Sequence, residues 1–383
     1  MSGETIRLRI GGPAHGGTCV ARRDGQVVFV YGTAPGELVE VEIIESRSKL
    51  LFARATQILE PSADRIAHIW PLAERTFVGG ADLGHITAAA GRRWKAEVVA
   101  QQLLRIAHLE VDVEVQETAP LAYRTRIEAV VSEGGGLAMH KQHSHDLIEI
   151  DSMPLAVDAI TELAPWDGRY RPGERITVVH SSGADEQPAQ TRIATGAHLF
   201  EHVVLDGQRY QYRVNDDGFW QVHLEAPRRL VQQVQATLPS TTPLTVFDLY
   251  CGSGLFTLPL VQAGHRVYAV ESNEAAAANA LFNTEGNARV FAADVLQALQ
   301  RRTLPNRADV ILLDPPRAGV GRQVVEAICA RQPAHIIYVS CDPASLARDT
   351  NYLSQHGYHL THLQALDLFP HTHHIESIAQ FTH

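Results

Sequence analysis

The sequence predicts an α/β protein in three parts: a small N-terminal β-barrel, a central β-rich segment, and a C-terminal parallel sheet flanked by helices. Three observations lead there. Short apolar or alternating runs separated by glycine turns occupy the first 60 or so residues, the pattern of a small barrel. From about residue 223 helices and strands alternate, which implies right-handed crossovers and a parallel sheet with ligands at the carboxyl ends of its strands. The length of 383 residues also exceeds one typical domain. We expect domains over 1–60, 61–217 and 218–383, with a helix near 88–108 packing on the last of them.

The elements follow in order. Ile6–Ile10, Val27–Tyr31, Leu38–Ile44 and Phe52–Ile58 read as barrel strands, with turns at Gly11-Gly12-Pro13, Gly16-Gly17, Asp24-Gly25 and Pro35-Gly36. Val98, Val99, Leu103, Leu104 and Ile106 recur at roughly helical spacing within Ala88–His108. Arg126–Val131, Arg175–His180 and Gln208–Val214 are strand-like. The C-terminal alternation runs through helix Pro227–Leu238, strand Thr245–Leu249, helix Phe256–Ala263, strand Arg266–Val270, helix Glu274–Asn283 and strand Arg289–Ala292. Strand Val310–Leu313, helix Arg322–Arg331, strand His335–Val339 and a closing strand Ile378–Phe381 complete it.

Composition excludes several classes. A hydrophobic share of 45% and a charged share of 20% are ordinary for a soluble globular chain. Met1 to Pro13 holds no apolar signal core, and no apolar run approaches the ~18 residues of a membrane span, so a cytoplasmic location without membrane contact is expected. Cys19, Cys251, Cys329 and Cys341 form no Cys-x-x-Cys pair, which argues against a disulfide framework or a thiolate zinc site. The net charge of −10 weighs against a nucleic-acid partner, yet Arg22-Arg23, Arg92-Arg93-Trp94-Lys95 and Arg228-Arg229 could form a local basic groove.

The run Val246-Phe247-Asp248-Leu249-Tyr250-Cys251-Gly252-Ser253-Gly254 is a strand followed by a tight turn. Gly252 and Gly254 would let the backbone approach a ligand, although a plain strand-to-helix turn would look similar. No third glycine of a dinucleotide fingerprint follows. Glu271 ends the next strand, where a carboxylate can accept hydrogen bonds from ribose hydroxyls. Asp294 is read as ending the strand after that, placed for an adenine amine; both acids would repel a ribose phosphate. Ordinary solvated acids at strand ends are the plainer alternative.

Two later motifs are sharper. Asp314-Pro315-Pro316-Arg317 follows the apolar strand Val310–Leu313, putting Asp314 at the sheet edge. Ser340-Cys341-Asp342-Pro343 follows another strand and opens a helix, where the macrodipole should favour a thiolate at Cys341. A buried cysteine elsewhere would be a small hydrophobe. Glu376 precedes the closing strand and is positioned as a base. The histidines at 371, 373 and 374, and those at 140, 143 and 145, lack an accompanying carboxylate or thiolate set at ligand spacing, so no metal is expected. A thiolate that adds to carbon 6 of uracil makes carbon 5 nucleophilic, and a base must then remove the carbon 5 proton.

These motifs, with Phe369-Pro370-His371-Thr372-His373-His374-Ile375-Glu376, resemble the RNA 5-methyluridine methyltransferase family across nearly the whole chain. The resemblance implies a Rossmann-like class I methyltransferase domain that uses S-adenosylmethionine, with Cys341 as nucleophile and Glu376 as general base. It implies Gln221, Tyr250, Glu271, Asp294 and Asp314 as cofactor contacts. The N-terminal barrel looks like a TRAM domain, and the segment around Tyr123-Arg124-Thr125-Arg126 like the family's central RNA-binding domain. RNA is thus the expected partner, with large-subunit rRNA ahead of the tRNA T-loop, and the chain is expected to act as a monomer.

Departures from the pattern are visible. His223 and Asp342 stand where asparagine is commoner. Many relatives hold an iron–sulfur cluster on four cysteines, and the matching positions here carry Trp70, Val78, Ala81 and Met153. Such a cluster requires thiolates, so none is expected, and apolar packing should replace it. A cytosine-C5 methyltransferase is disfavoured because Asp314-Pro315-Pro316-Arg317 lacks the neighbouring catalytic cysteine. An inactive RNA-binding homologue is disfavoured by the presence of both Cys341 and Glu376.

Overall fold

The computed structural model describes residues 6–47, 50–185, 187–240, 243–301 and 303–383. Its first sheet has six strands in the order Ile6–Arg9, Leu38–Arg47, Leu50–Glu60, Gln26–Tyr31, Thr18–Arg23, Pro13–Ala14. Alternation sets its inside: Val28, Val30, Val39, Val41 and Ala53 point inward and are buried. The helix Ala88–Gln102 closes this barrel, inserting Ala90, Trp94 and Val98 into the same apolar cluster. Trp94 and Lys95, read above as part of a basic surface cluster, are both buried. The thiol of Cys19 lies inside the barrel too, and burial pushes it up to about 12, so it behaves as a small hydrophobe.

A second, antiparallel sheet has five strands in the order Leu147–Glu149, Leu137–His140, Arg126–Val131, Arg175–His180, Thr191–Ile193. Trp70, Val78, Ala81 and Met153 belong to one apolar cluster that packs on it with Tyr123, Ile127 and Leu137. The hairpin His198–Leu205 and Gln208–Asn215 falls in the expected central segment. Its Leu199, Val203, Tyr212 and Val214 nevertheless share a core cluster with Val246, Val310 and Ile337 of the C-terminal sheet.

That third sheet has eight strands: Arg289–Ala292, Arg266–Glu271, Thr245–Leu249, Val310–Leu313, His335–Ser340, Glu376–Thr382, His359–Leu366 and Val115–Gln116. All run parallel except Glu376–Thr382, which is antiparallel to both neighbours. The strand order reverses at Thr245–Leu249, and a crevice for ligands is expected at its carboxyl end. The edge pair Val115–Gln116 comes from outside the expected domain; two residues are too few to read as a strand from pattern. Beyond Gln102 the helix continues as a wider turn over Leu103–Ala107, and Val99, Leu103 and Ala107 pack on Ala347, Ala365 and Ile375. Among the described residues no helix is long and apolar enough to cross a membrane.

Candidate active site

The turn after Thr245–Leu249 is held by its neighbour strand, since the Tyr250 and Cys251 N–H groups donate to the Val270 carbonyl. Tyr250 takes φ 66°, costly for an aromatic residue and a mark of a constrained, functional backbone. Gly252 and Gly254 follow at φ 55° and 89°. A Cβ at Gly254 would meet the Ala280 backbone at 3.3 Å, so this glycine lets helix Glu274–Asn283 pack against the turn. Space beside Gly252 is open, as a ligand approaching the backbone requires.

Glu271 is tied to that turn. Its Oε2 accepts from the Gly252 N–H at 3.0 Å and its Oε1 from the Asn273 N–H at 2.7 Å. Asp294 lies two residues beyond its strand, exposed, and caps helix Val295–Gln300 by accepting from the Gln297 N–H. Gln221 is buried just before helix Ala226–Thr237. His223 is buried as well and stacks on Tyr123 at 4.7 Å, so it braces the loop rather than lining open space.

Sequence reasoning quoted Asp248 but gave it no role. It is fully buried, Thr257 donates to its Oδ2 at 2.5 Å, and its Oδ1 has no partner. Burial, opposed by Thr257 and reinforced by Glu271, pushes its carboxyl up to about 7. Asp314 is likewise pushed up to about 7, by burial and by Asp248. An orphaned acceptor inside a nest of acids fits a ligand bringing an amino or other cationic group. The signal was available: an acid inside an otherwise apolar strand that leads into a glycine turn.

The reacting centre forms where the one antiparallel strand meets the parallel sheet. The ladder between His335–Ser340 and Glu376–Thr382 ends at the pair Ser340 and Ser377. Cys341 and Glu376 are the next residues on each strand, and their charges interact. Glu376 is 4% exposed; burial and Asp314 raise its carboxyl well above the usual range, while Arg317 works against them. Cys341 is only partly exposed, and its thiol departs from expectation. Burial and Glu376 push it up to about 12, with Asp314 and Asp342 adding to them and Arg317 opposing. The helix dipole does not prevail because Asp342, not Cys341, is the N-cap of Pro343–Ser354: its Oδ1 accepts from the Ser345 N–H at 2.7 Å. Cys341 therefore rests as a neutral thiol.

Other segments converge on this centre. His15 of the barrel places Nε2 2.9 Å from Asp342 Oδ2. His373 Nδ1 lies 2.7 Å from Asp82 Oδ2, and His374 Nε2 lies 3.3 Å from an Arg317 nitrogen. The Tyr123 hydroxyl donates to the Pro370 carbonyl at 2.9 Å. These histidines thus hold loops together.

Comparisons with known proteins identify the family. The family model for tRNA (uracil-5-)-methyltransferase matches residues 188–382, and that for the TRAM domain matches residues 1–56. An uncharacterized RNA methyltransferase of Bifidobacterium longum is 36% identical, covering 98% of this chain and 96% of the relative. The 23S rRNA (uracil(1939)-C(5))-methyltransferase of Alkalilimnicola ehrlichii is 31% identical over 99% of this chain and 96% of its own. The structure of Pyrococcus abyssi tRNA (uracil-54, C5)-methyltransferase with S-adenosyl-L-homocysteine shares the fold, with a TM-score of 0.70 at 22% identity, covering 98% of this chain and 99% of that one. The chain belongs to the tRNA (uracil-5-)-methyltransferase family and carries an N-terminal TRAM domain.

Proposed function

We propose that this chain methylates carbon 5 of a uridine in large-subunit rRNA through a covalent bond between Cys341 Sγ and carbon 6. The observation that carries this reading is the end of the antiparallel ladder, which sets a thiol and a buried carboxyl side by side at the mouth of the sheet. S-adenosylmethionine, when bound, supplies the methyl group. Tyr250, Gly252 and Gly254 would present the turn to it, Glu271 would take its ribose hydroxyls and Asp294 its adenine amine. Gln221 and Asp314 would close the pocket, and the free Oδ1 of Asp248 would accept from its cationic end.

Cys341 gives its proton to solvent, Sγ bonds to carbon 6, and the displaced π pair moves onto the carbonyl as an enolate. Once carbon 5 carries its methyl group, the Glu376 carboxylate removes the carbon 5 proton. The ring double bond re-forms and Sγ leaves. Burial excludes water from Glu376 and raises its carboxyl, while the Arg317 charge works in the opposite direction. Both acting groups are raised, so methylation should accelerate as pH increases above neutrality. The 31% identity over nearly the full chain to a 23S rRNA enzyme favours rRNA; the fold shared with a tRNA enzyme keeps the T-loop uridine as the second reading.

The test is labelled S-adenosylmethionine with rRNA and tRNA that lack 5-methyluridine. Wild type should label one of them as 5-methyluridine, and Cys341→Ala should label neither. Glu376→Gln should accumulate an RNA–protein adduct that survives denaturation and should not release tritium from carbon 5. Label incorporation that persists in Cys341→Ala would break the covalent mechanism.

A further inference from the structure

A cleft of about 760 Å³ runs between the barrel and the turn at 141–144, inside the roughly 300–1,000 Å³ range of small-ligand sites. Its barrel wall is the outer face of two parallel strands, registered Phe29 to Phe52 and Tyr31 to Arg54. Alternation puts Val28, Val30, Leu51 and Ala53 in the barrel core, so Phe29, Tyr31, Phe52 and Arg54 project the other way. A barrel's outer face is ordinarily polar; here it carries a ring platform. Phe29 and Phe52 stack at 5.4 Å, Arg47 lies 5.1 Å over Phe52, and Tyr31 meets His143 of the opposite wall at 4.3 Å.

Arg54 makes the cleft more than an aromatic surface. It is 9% exposed, its Nε has no hydrogen-bond partner, and its guanidinium rests 4.1 Å over the Phe77 ring. Glu45, which also lines the cleft, is engaged by Arg47. Glu42 faces Arg54 across the ladder and its charge acts on the guanidinium, with no Glu42–Arg54 hydrogen bond among the described residues. Burial outweighs the attraction of Glu42 and holds the Arg54 guanidinium below its usual range, a cost that a ligand's anion would offset. The cleft also borders the reacting centre, because His15 lines it and reaches Asp342 beside Cys341.

We propose that this cleft is a subsite for an unpaired nucleotide flanking the target uridine, its base stacked on the Phe29 and Phe52 rings and its phosphate at Arg54. The inference rests on the RNA reading above. Stacking on protein rings needs a base face that duplex RNA hides, and it tolerates any base because all have one. The subsite would hold the strand beside the target so that the uridine is presented to Cys341.

The full-length chain can be tested by fluorescence anisotropy with a labelled oligouridylate and a short RNA duplex, across a series of salt concentrations. Wild type should prefer the single strand. Arg54→Met should weaken its binding about tenfold and reduce the salt slope by about 0.7, the loss of one phosphate contact. It should melt no lower than wild type, since it removes a buried charge and keeps the stem. Phe52→Ala should weaken binding about fivefold or more with the slope unchanged. Unaltered binding in both variants, or a duplex bound as tightly as the strand, would overturn the subsite. Uracil methylation by wild type, measured alongside, separates the two claims. Its absence with Arg54-dependent binding intact would count against the catalytic reading alone, and its presence with indifferent Arg54 against the subsite alone.

Discussion

Asp248 shows how a single residue links the cofactor pocket to stability. Its folded carboxyl sits at about 7, against an ordinary 3.8. Well below 3.8 both the folded and unfolded chains hold the proton, and the residue contributes nothing to pH dependence. Between 3.8 and 7 the unfolded chain releases it while the folded chain keeps it, so stability falls as pH rises; above 7 the penalty is constant. A shift of this size costs on the order of 3–4 kcal/mol at pH 7.5. Asparagine keeps an acceptor for Thr257 and cannot ionise. Asp248→Asn should therefore stabilise the protein at pH 7.5 by about 2–3 kcal/mol more than at pH 4.5, measured by urea unfolding. An equal effect at the two pH values would mean that burial is not what holds the proton. Glu271 and Asp314 were legible in the sequence, because an apolar run that stops at an acid is a local pattern; Asp248, one residue inside its strand, was not assigned a role. The neutral state of Cys341 was not legible. It depends on which residue caps the helix and on two carboxyls, Glu376 and Asp314, that come from other segments.

At the level of elements, the helix Ala88–Gln102 was legible from its spacing, but its role was hidden. It is buried on several sides, with Trp94 and Val98 in the barrel and Val99 against the C-terminal domain. Between these faces Lys95 donates to Asp367, both nearly inaccessible, and to the Phe369 carbonyl at 2.9 Å. A run of Arg92-Arg93-Trp94-Lys95 reads as a basic patch only while the partner acid, far along the chain, is unknown. Lys95→Met should cost about 3–5 kcal/mol in urea unfolding because it strands a buried carboxylate. Lys95→Met with Asp367→Leu should recover most of the loss; a single variant costing under about 1 kcal/mol would show that the pair is hydrated. The loop before this helix supports a second expectation. Trp70, Val78, Ala81 and Met153 share one apolar cluster and offer no thiolate, so protein purified without oxygen should contain no iron or acid-labile sulfide. Stoichiometric iron would require ligands from elsewhere in the chain.

For the whole molecule, every part reaches either the loop that precedes Glu376 or the helix cap beside Cys341. The barrel contributes His15 to Asp342, the segment after it gives the Leu83 N–H to the His371 carbonyl and Asp82 to His373, and the central segment gives Tyr123 to Pro370. This convergence was invisible in the sequence, since each contact joins residues hundreds of positions apart. It implies that the position of the base is set by assembly of the parts, and Asp82 is the contact to test. Burial alone would raise its carboxyl, but the hydrogen bond and charge of His373 hold it below the ordinary 3.8. Its stabilisation is thus present above 3.8 and is lost only as pH falls through the lower folded value. Asp82→Asn replaces a charge-assisted bond with a neutral one, a loss of roughly 1–2 kcal/mol spent on the loop. Amide exchange across residues 369–375 should quicken at neutral pH, and methylation kcat should fall about tenfold if that energy holds Glu376 in register. Alkylation of Cys341 should proceed as in wild type, because the thiol lies on a different strand. Faster exchange with unchanged kcat would show that the loop moves without moving the base, and the assembly argument would fail.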